Sequence, residues 1–487
     1  MRIYLDWGVI NKMRCASEAD DVFFKMREYL LKNKDYHVIP CTGAHLTDLA
    51  SSDSDEHRDE VEKDLDFLEE LTRAFTFAFD QAKNVEQWEN YQLKTWYEDV
   101  VDSNRKFFKD GNYLENFAKD LPFDGLLSGV MNSLKLMPSG ITSEQLDTLR
   151  DQDFTKMTGF FQRSADGSFH DLLGETMNMM QSFNNDDKAY KGVRNEFREK
   201  YKLHGSYDDQ NVIQDMEAKL KKLSEDLSFE TILKAMIGNK ENPDRFKLFT
   251  THYLMLDFFG YQVDGKFRNM VQDATHAFYA GFCDMYISDD AKARAKTKAV
   301  YNHLSIRTDV VSPEGFANER MEKMLGPQDD LSVVLVDAIK NGLIETNVND
   351  EGTPVTIHEL PLMYGYFNRL QVNYEGEDEH GLFLYKRKRT LSDQTLYREI
   401  HQIVDLMQQT LGPDIHERGL YSEDDRLEIE ANKWSGRAHL WGTHVLHLLV
   451  QPHLGLTMNI DTIDHVRRLA VEQQEEKNKK GSPKAPM

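Results

Sequence analysis

The chain has 487 residues, of which 40% are hydrophobic and 29% are charged, and its mean hydropathy of -0.62 is ordinary for a soluble globular protein. With 59 basic and 83 acidic residues, the formal charge is -24. This balance argues against a polybasic protein that holds nucleic acid by bulk charge, but it leaves room for a local basic strip beside an acidic metal site.

The three cysteines are too few and too scattered for a disulfide framework or a zinc cluster, and they favour a reduced, cytoplasmic interior. The first residues lack a long apolar segment before a small-residue cleavage site, so we expect no signal peptide. Residues 438–460 carry no Lys, Arg, Asp or Glu, yet they include four histidines. We expect this segment to form buried core with a turn at Pro452, and we expect no membrane partner.

In chain order, the first elements alternate between strand and helix. Residues 3–5 predict a short buried strand, and the apolar spacing over 17–31 predicts a helix. A second strand is predicted over 36–40, and a second helix follows over 42–50, for which Thr42 is a suitable N-cap. Such an order is typical of the start of an α/β layer protein.

The pattern then changes to a long, mostly helical region over 57–257. Its clearest amphipathic runs are at 57–79 and 211–237. The α/β pattern returns from 258 to 317. There we predict the helix 268–282, the strand 285–288, the basic helix 290–303 and the strand 304–311, in that order along the chain.

Residues 318–470 predict a mixed α+β region. It contains a helix at 331–342, a β-ribbon at 370–389 and a helix at 396–411. The tail, residues 471–487, is polar, contains Lys and Pro, and is predicted to be disordered.

The segment 273–290 places acidic residues around and inside a short apolar run. A buried carboxylate is costly unless it is paired or binds a metal, so Asp273 and Asp284 each require a partner. Asp289 and Asp290 follow the predicted strand at its carboxyl end, the edge at which open α/β sheets bind ligands. Asp290 or Asp289 equally suits the N-cap of the next helix, which is the ordinary role of such a residue.

Two further acids come from the start of the chain. Asp6 directly follows the first strand, and Asp48 lies on the second predicted helix, where it can turn toward the same edge. Singly, each suits a turn or a solvated helix face. Together with Asp273 and Asp290 they would supply oxygen ligands for a hard cation.

The residues that carry this pattern resemble the PIN-like nuclease domains. Residues 3–11 match the opening strand that ends in Asp, and 39–49 match the second strand with an acid on the following helix. Residues 269–301 match the closing helix, strand and acid that lead into a basic helix, and 305–316 match the last strand. The resemblance covers roughly 1–56 and 264–317, and it implies a parallel-sheet α/β nuclease domain divided by the helical region.

The resemblance implies an acidic set that binds Mg²⁺ or Mn²⁺ and hydrolyses phosphodiester bonds. Carried over position by position, the catalytic and metal-binding residues are Asp6, Asp48, Asp273 and Asp290, with Asp289 as the alternative at the last position. The basic helix adds candidates for substrate phosphates, which are Lys292, Arg294, Lys296 and Lys298. His276 either contacts substrate or is a hydrogen-bonded core histidine.

We therefore expect a cytoplasmic, metal-dependent endoribonuclease whose accessory regions suit a regulated toxin or defence effector. RNA is favoured over DNA by the resemblance alone. The expected partners are a nucleic acid and either a second copy or a regulatory protein. The alternatives are a PIN-like binding or scaffold protein that does not cleave, and a hydrolase of free nucleotides.

Three other motifs are weaker. Residues 260–266 have the glycine and lysine spacing of a phosphate-binding loop, but Phe267 stands where Ser or Thr is needed. His439, His444 and His447 lack a nearby acid or cysteine and are predicted to be core, with the last two on one helical face. The basic run 386–389 suits either nucleic acid or an exposed sheet edge.

Overall fold

The structure is a computed structural model. It describes residues 1–109, 186–321 and 331–462, together with a few residues between 142 and 183. Short gaps within these ranges lie at 35–36, 52–56, 81–84, 90–91, 201–202, 204–205, 223–224, 226–227, 238–243, 349–351, 365, 376–377, 387–392 and 452–453. The tail predicted to be disordered lies outside the described residues.

The chain is a mixed α/β protein with a three-stranded parallel sheet and a separate antiparallel sheet. Residues 1–109 form β1 (Ile3–Leu5), α1 (Trp7–Cys15), α2 (Val22–Lys32), β2 (Cys41–Thr42), α3 (Gly43–Ser51), α4 (Arg58–Thr72), β3 (Thr76–Asp80), β4 (Val85–Glu89) and α5 (Leu93–Lys109). Residues 187–320 form α6 (Asp187–Lys200), α7 (Val212–Lys221), α8 (Phe229–Ile237), α9 (Arg245–Phe258), α10 (Phe267–Ala280), β5 (Met285–Ile287), α11 (Ala291–His303), β6 (Asp309–Val311) and the short α12 (Pro313–Gly315), which continues as a π-helical turn (Phe316–Arg320).

The remaining elements lie beyond residue 331. They are α13 (Leu331–Asn341), β7 (Leu343–Val348), β8 (Pro354–Met363), β9 (Phe367–Glu375), β10 (Asp378–Tyr385), α14 (Asp393–Leu411), α15 (Glu423–Glu430), β11 (Arg437–Trp441), β12 (His444–Gln451) and β13 (Gly455–Thr462).

The parallel sheet joins the two predicted α/β segments, in the strand order β1-β5-β6. Leu5 is opposite Ile287, and Ile287 is opposite Val311. Both β1 and β5 are wholly buried, which explains why they read as unbroken apolar runs, as is typical of parallel strands covered on both faces. The predicted strands at 3–5 and 285–288 are confirmed, whereas the strand predicted over 36–40 is reduced to a parallel bridge from Arg2 to Val38, followed by β2.

The prediction that 57–79 is one helix is wrong. Helix α4 ends at Thr72, Arg73 adopts a left-handed φ of 52°, and the chain then enters β3. This strand pairs in parallel with β2 and antiparallel with β4. The aromatic residues alternate with a period of two, so Phe77 and Phe79 pack on the rings of Phe278 and Phe282, with centroids 5.0 to 5.8 Å apart. Aromatic packing therefore overrides the helical pattern.

The helices α7, α8, α9 and α10 pack together against the parallel sheet. Tyr253, Leu256 and Phe259 of the α9 region are buried with Tyr286 of β5 in one core. The run predicted to be helical over 211–237 is confirmed as α7 and α8. Most of residues 110–185 lie outside the described residues.

The antiparallel sheet has the strand order β11-β12-β13-β10-β9-β8-β7. The predicted β-ribbon is the pair β9–β10, in which Leu382 is opposite Val372, and the two helices predicted beyond residue 331 are confirmed as α13 and α14. Both helices pack on the core of this sheet. His444 and His447 both lie on the strand β12, so the helical face assigned to them is wrong, and Pro452 lies outside the described residues.

Four buried charges join the parallel sheet to the seven-stranded antiparallel sheet. Lys386, at the end of β10, lies 3.3 Å from Asp284 and 2.9 Å from Glu399 of α14, while Arg2 lies 3.4 Å from Glu399. Asp284 also accepts a 2.8 Å hydrogen bond from the backbone N–H of Arg2. The acid inside the apolar run is therefore paired, as its burial requires. Although burial opposes ionisation, Lys386 and Arg2 hold the pKa of Asp284 well below its usual range. Residues 387–389 lie outside the described residues.

This cluster of four charges gives a stability prediction. Glu399→Gln leaves Arg2 and Lys386 without one carboxylate, and removing one partner of a buried pair costs about 3 kcal/mol. We expect a loss of that order in urea denaturation followed by circular dichroism. The matched change Glu428→Gln breaks a half-exposed pair with Arg418 (2.6 Å) and should cost less than about 1 kcal/mol. Equal losses in the two variants would contradict the buried pairing.

Candidate active site

Parallel pairing brings the ends of β1 and β5 to one edge. The backbone N–H of Asp6 donates to the carbonyl of Ile287 at 2.9 Å, which extends the pairing by one residue. Ser288 follows β5, and its hydroxyl donates to Asp6 Oδ2 at 2.7 Å. Asp6 is thus held at the carboxyl edge of the sheet, which is the location expected for a residue that directly follows the first strand.

Asp290 lies at the same edge, at the start of α11. Its Oδ1 accepts hydrogen bonds from the backbone N–H groups of Lys292 (2.7 Å) and Ala293 (2.9 Å), so it is the N-cap. Its own N–H donates to Ser288 Oγ at 3.2 Å. Asp289, the alternative ligand, instead pairs with Lys12 on the surface.

Asp273 projects from α10, which packs on β1 and β5. Burial, and after it the negative charges of Asp6 and Asp264, raise the pKa of Asp273 well above its ordinary value, and Asp290 acts in the same direction. Asp6, Asp264 and Asp290 therefore make the surroundings of Asp273 negatively charged. In the described part of the chain, no donor forms a hydrogen bond with the Asp273 carboxylate.

Asp48 forms a hydrogen bond with a histidine of the helix that carries Asp273. His276, also on α10, lies with Nε2 2.8 Å from Asp48 Oδ2 and with Nδ1 2.9 Å from the Tyr4 hydroxyl. The Tyr4 hydroxyl lies 2.8 Å from Thr42 Oγ1. His276 is 1% exposed, so it is a buried, hydrogen-bonded histidine, which was one of the two roles considered for it.

The electrostatics of this histidine and of Asp6 are linked. Burial opposes the charged form of His276, but its bond to Asp48 and the charges of Asp48, Asp6 and Asp273 raise the pKa of the imidazole above its ordinary value. Burial raises the pKa of Asp6, while His276 and the Ser288 hydroxyl act in the opposite direction. His276 therefore offsets part of the negative charge that the four aspartates bring together.

The donor set fits a hard cation. Asp6, Asp48 and Asp290 each use one carboxylate oxygen in the bonds above, which leaves the second oxygen of each for another ligand. Carboxylate oxygens are the ligands that Mg²⁺ and Mn²⁺ prefer. Within the described ranges, however, no three or more His, Cys, Asp or Glu side chains are grouped closely enough to hold a metal ion, so side-chain movement would have to accompany binding.

The four basic candidates of α11 differ in their surroundings. Lys298 is exposed, and Lys292 is exposed with its ammonium group donating to the Val263 carbonyl at 3.0 Å. Arg294 is half-buried and donates to the Ser288 carbonyl at 2.6 Å. Lys296 differs from the expectation, because it is fully buried and pairs with Asp264 inside the protein, where it cannot contact substrate.

Sequence reasoning missed two groups that support the site. Ser288 positions Asp6, and its position between the strand and Asp289 was the available signal. The second is a buried ion network in which Lys296 pairs with Asp264 and lies 3.9 Å from Asp257, while Arg194 lies 3.0 Å from Asp257. No local pattern indicates this network, because its members come from four separate segments. Asp264 belongs to the segment that mimics a phosphate-binding loop, and the pairing gives it a structural role.

Comparison of the chain with protein-family models, with curated proteins and with solved structures gives no match. The site must therefore be judged from its own geometry. Among the described helices, none has both the length and the apolar character needed to cross a membrane.

The raised pKa of Asp273 gives a prediction with a definite sign. A carboxyl group whose pKa is higher in the folded state than in the unfolded state destabilises the fold increasingly as the pH rises from the unfolded pKa to the folded pKa. Asp273→Asn should therefore increase the free energy of unfolding at about pH 7.5, by on the order of 1 kcal/mol given the partial exposure of the side chain. The gain should disappear near pH 4, close to the unfolded-state pKa of aspartate.

The measurement is urea denaturation at the two pH values, with the exposed Asp337→Asn as the matched control. That control should leave stability unchanged within about 0.5 kcal/mol. A destabilised Asp273→Asn protein at pH 7.5 would contradict the crowding of carboxylates at this edge.

Proposed function

We propose that the protein is a metal-dependent nuclease with a PIN-like domain formed by residues 1–56 and 258–317. The observation that supports the proposal is that Asp6 and Asp290 share the Ser288 hydroxyl at the carboxyl edge of the parallel sheet, and that α10, which packs on this sheet, carries Asp273 and the histidine that bonds to Asp48. Acids that raise one another's pKa lower the stability of the fold, and such clusters are characteristic of functional sites.

The residues that would hold the cation are Asp6, Asp48, Asp273 and Asp290. A bound Mg²⁺ or Mn²⁺ lowers the pKa of a coordinated water and stabilises charge on a phosphate. Ser288 orients Asp6, and His276 orients Asp48, because each forms a hydrogen bond with one oxygen of its acid. The Tyr4 hydroxyl in turn holds the His276 ring, so the second acid is fixed through a chain of buried polar groups.

The proposed substrate is RNA, following the resemblance stated above. Lys292 and Lys298 are exposed on α11, the helix that Asp290 caps, and they would bind substrate phosphates. The alternative is a nucleic-acid-binding or scaffold protein that keeps the fold without cleaving. Its acidic surface, with a formal charge of -24, suits either role.

The test is cleavage of labelled single-stranded RNA and of the DNA of the same sequence by the full chain with Mn²⁺, Mg²⁺ or EDTA. We expect RNA cleavage that depends on the metal and is lost in EDTA. Asp273→Asn should reduce the rate by more than about 100-fold, since altering even the residues that support metal ligands costs 10- to 100-fold. Its fold should remain intact by circular dichroism.

Asp337→Asn is the control, because it makes the same chemical change at an exposed site and should cleave at the rate of the unaltered protein. An unaltered protein that binds RNA but shows no metal-dependent cleavage would favour the scaffold alternative. Cleavage by Asp273→Asn at the full rate would refute the assigned site.

A further inference from the structure

A second site lies between residues 73–75, which connect α4 to β3, and helix α14. It is a cavity of about 410 Å³, large enough for a small organic ligand. The lining residues that matter to the argument are Arg73, Phe75, Arg398, His401, Gln402 and Asp405.

This site is separate from the acidic edge. Phe75 immediately precedes β3, and its carbonyl accepts a hydrogen bond from the N–H of Cys41, the first residue of β2. The cavity therefore lies at the amino ends of the strands β2 and β3. Asp6 follows β1 at its carboxyl end, and the segment that leads into β2 runs parallel to β1 through the bridge from Arg2 to Val38.

Two positive charges are held close together in the cavity wall. The guanidinium groups of Arg73 and Arg398 lie 5.5 and 4.8 Å from the centroid of the Phe75 ring. They are therefore no more than about 10 Å apart, the sum of those distances, and this is about one Debye length at 0.1 M salt. Arg73 is further fixed by a 3.3 Å hydrogen bond from Nη2 to the carbonyl of His37.

The carboxylate in the lining already has two partners, one of which is the lining residue His401. Asp405 Oδ1 accepts a 3.1 Å hydrogen bond from the backbone N–H of Tyr421, and Oδ2 lies 3.1 Å from Nε2 of His401. Gln402 adds an amide donor, since its buried Nε2 has no hydrogen-bond partner among the described residues. The lining thus combines two guanidinium groups with an unsatisfied N–H donor, in a protein whose formal charge is -24.

We propose that this cavity binds a small molecule that carries a phosphate group. Guanidinium groups match phosphate oxygens in geometry and charge, and the Gln402 amide would complete the set of donors. The volume exceeds what a bare phosphate ion occupies, so the organic part of a mononucleotide also fits within it. Such a ligand would bridge the N-terminal part of the chain and α14. The proposal is independent of the nuclease proposal.

The test is isothermal titration of the full chain in EDTA with adenosine monophosphate, adenosine and inorganic phosphate. EDTA removes metal-dependent binding at the acidic edge. We expect the monophosphate to bind, adenosine not to bind, and inorganic phosphate to bind more weakly than the monophosphate. Phosphate binding as tight as that of the monophosphate would identify the inorganic ion as the ligand and would overturn the larger ligand proposed here.

The variants Arg73→Gln and Arg398→Gln each remove one guanidinium group, and each should weaken binding of the monophosphate at least 10-fold. Lys340→Gln is the matched control, because it removes one positive charge from an exposed position on α13 and should leave binding unchanged. Circular dichroism checks the fold of each variant. Absence of binding by both phosphate compounds at about 5 mM, or full binding by both arginine variants, would overturn the proposal.

Discussion

The parallel pairing of β1 with β5 is the constraint on which the rest depends. These strands lie 280 residues apart along the chain, yet their register places Leu5 opposite Ile287 and so brings Asp6 beside Ser288 and Asp290. A slip by one residue would turn every side chain of a strand to the other face, which would move Tyr4 out of the core that it shares with Tyr286 and would move Ile3 and Leu5 out of the core on the other side of the sheet. Burial therefore enforces the register, and the register assembles the acidic edge.

The protein handles its buried charges in two different ways. At the junction of the parallel sheet and the seven-stranded antiparallel sheet, Asp284 and Glu399 are matched by Lys386 and Arg2, so each buried acid has a positive partner. At the acidic edge of the described chain, the positive groups that act on the aspartates include His276 and Lys296, and Lys296 is already paired with Asp264. The first arrangement joins parts of the fold, whereas the second is suited to binding a cation that supplies the missing charge.

The sequence was sufficient to predict the elements whose local pattern agrees with their tertiary contacts. The strands β1 and β5, the helices α13 and α14 and the ribbon β9–β10 are of this kind. The prediction of a helix failed at residues 73–79, where packing of Phe77 and Phe79 on the rings of Phe278 and Phe282 favours a strand. The helical face assigned to His444 and His447 was also wrong, because a short apolar run does not by itself distinguish a strand from a helix.

The candidate site shows the same division. The acids at strand ends were accessible to sequence reasoning, because the carboxyl end of a parallel strand is the usual place for ligands. The position of Lys296 was not, since the alternation of basic residues on α11 resembles a solvated face. Its burial depends on Asp264 and Asp257, which reach it from other segments. Long-range ion pairs of this kind leave no local periodicity.

A crystal of the full chain soaked in Mn²⁺ and measured for anomalous scattering tests the central claim most directly. The account predicts an anomalous peak at the carboxyl edge of β1 and β5, with oxygens of Asp6 and Asp273 within about 2.4 Å of the ion, as for hard cations held by carboxylates. A fully soaked crystal with these aspartates ordered and no peak between them would contradict it.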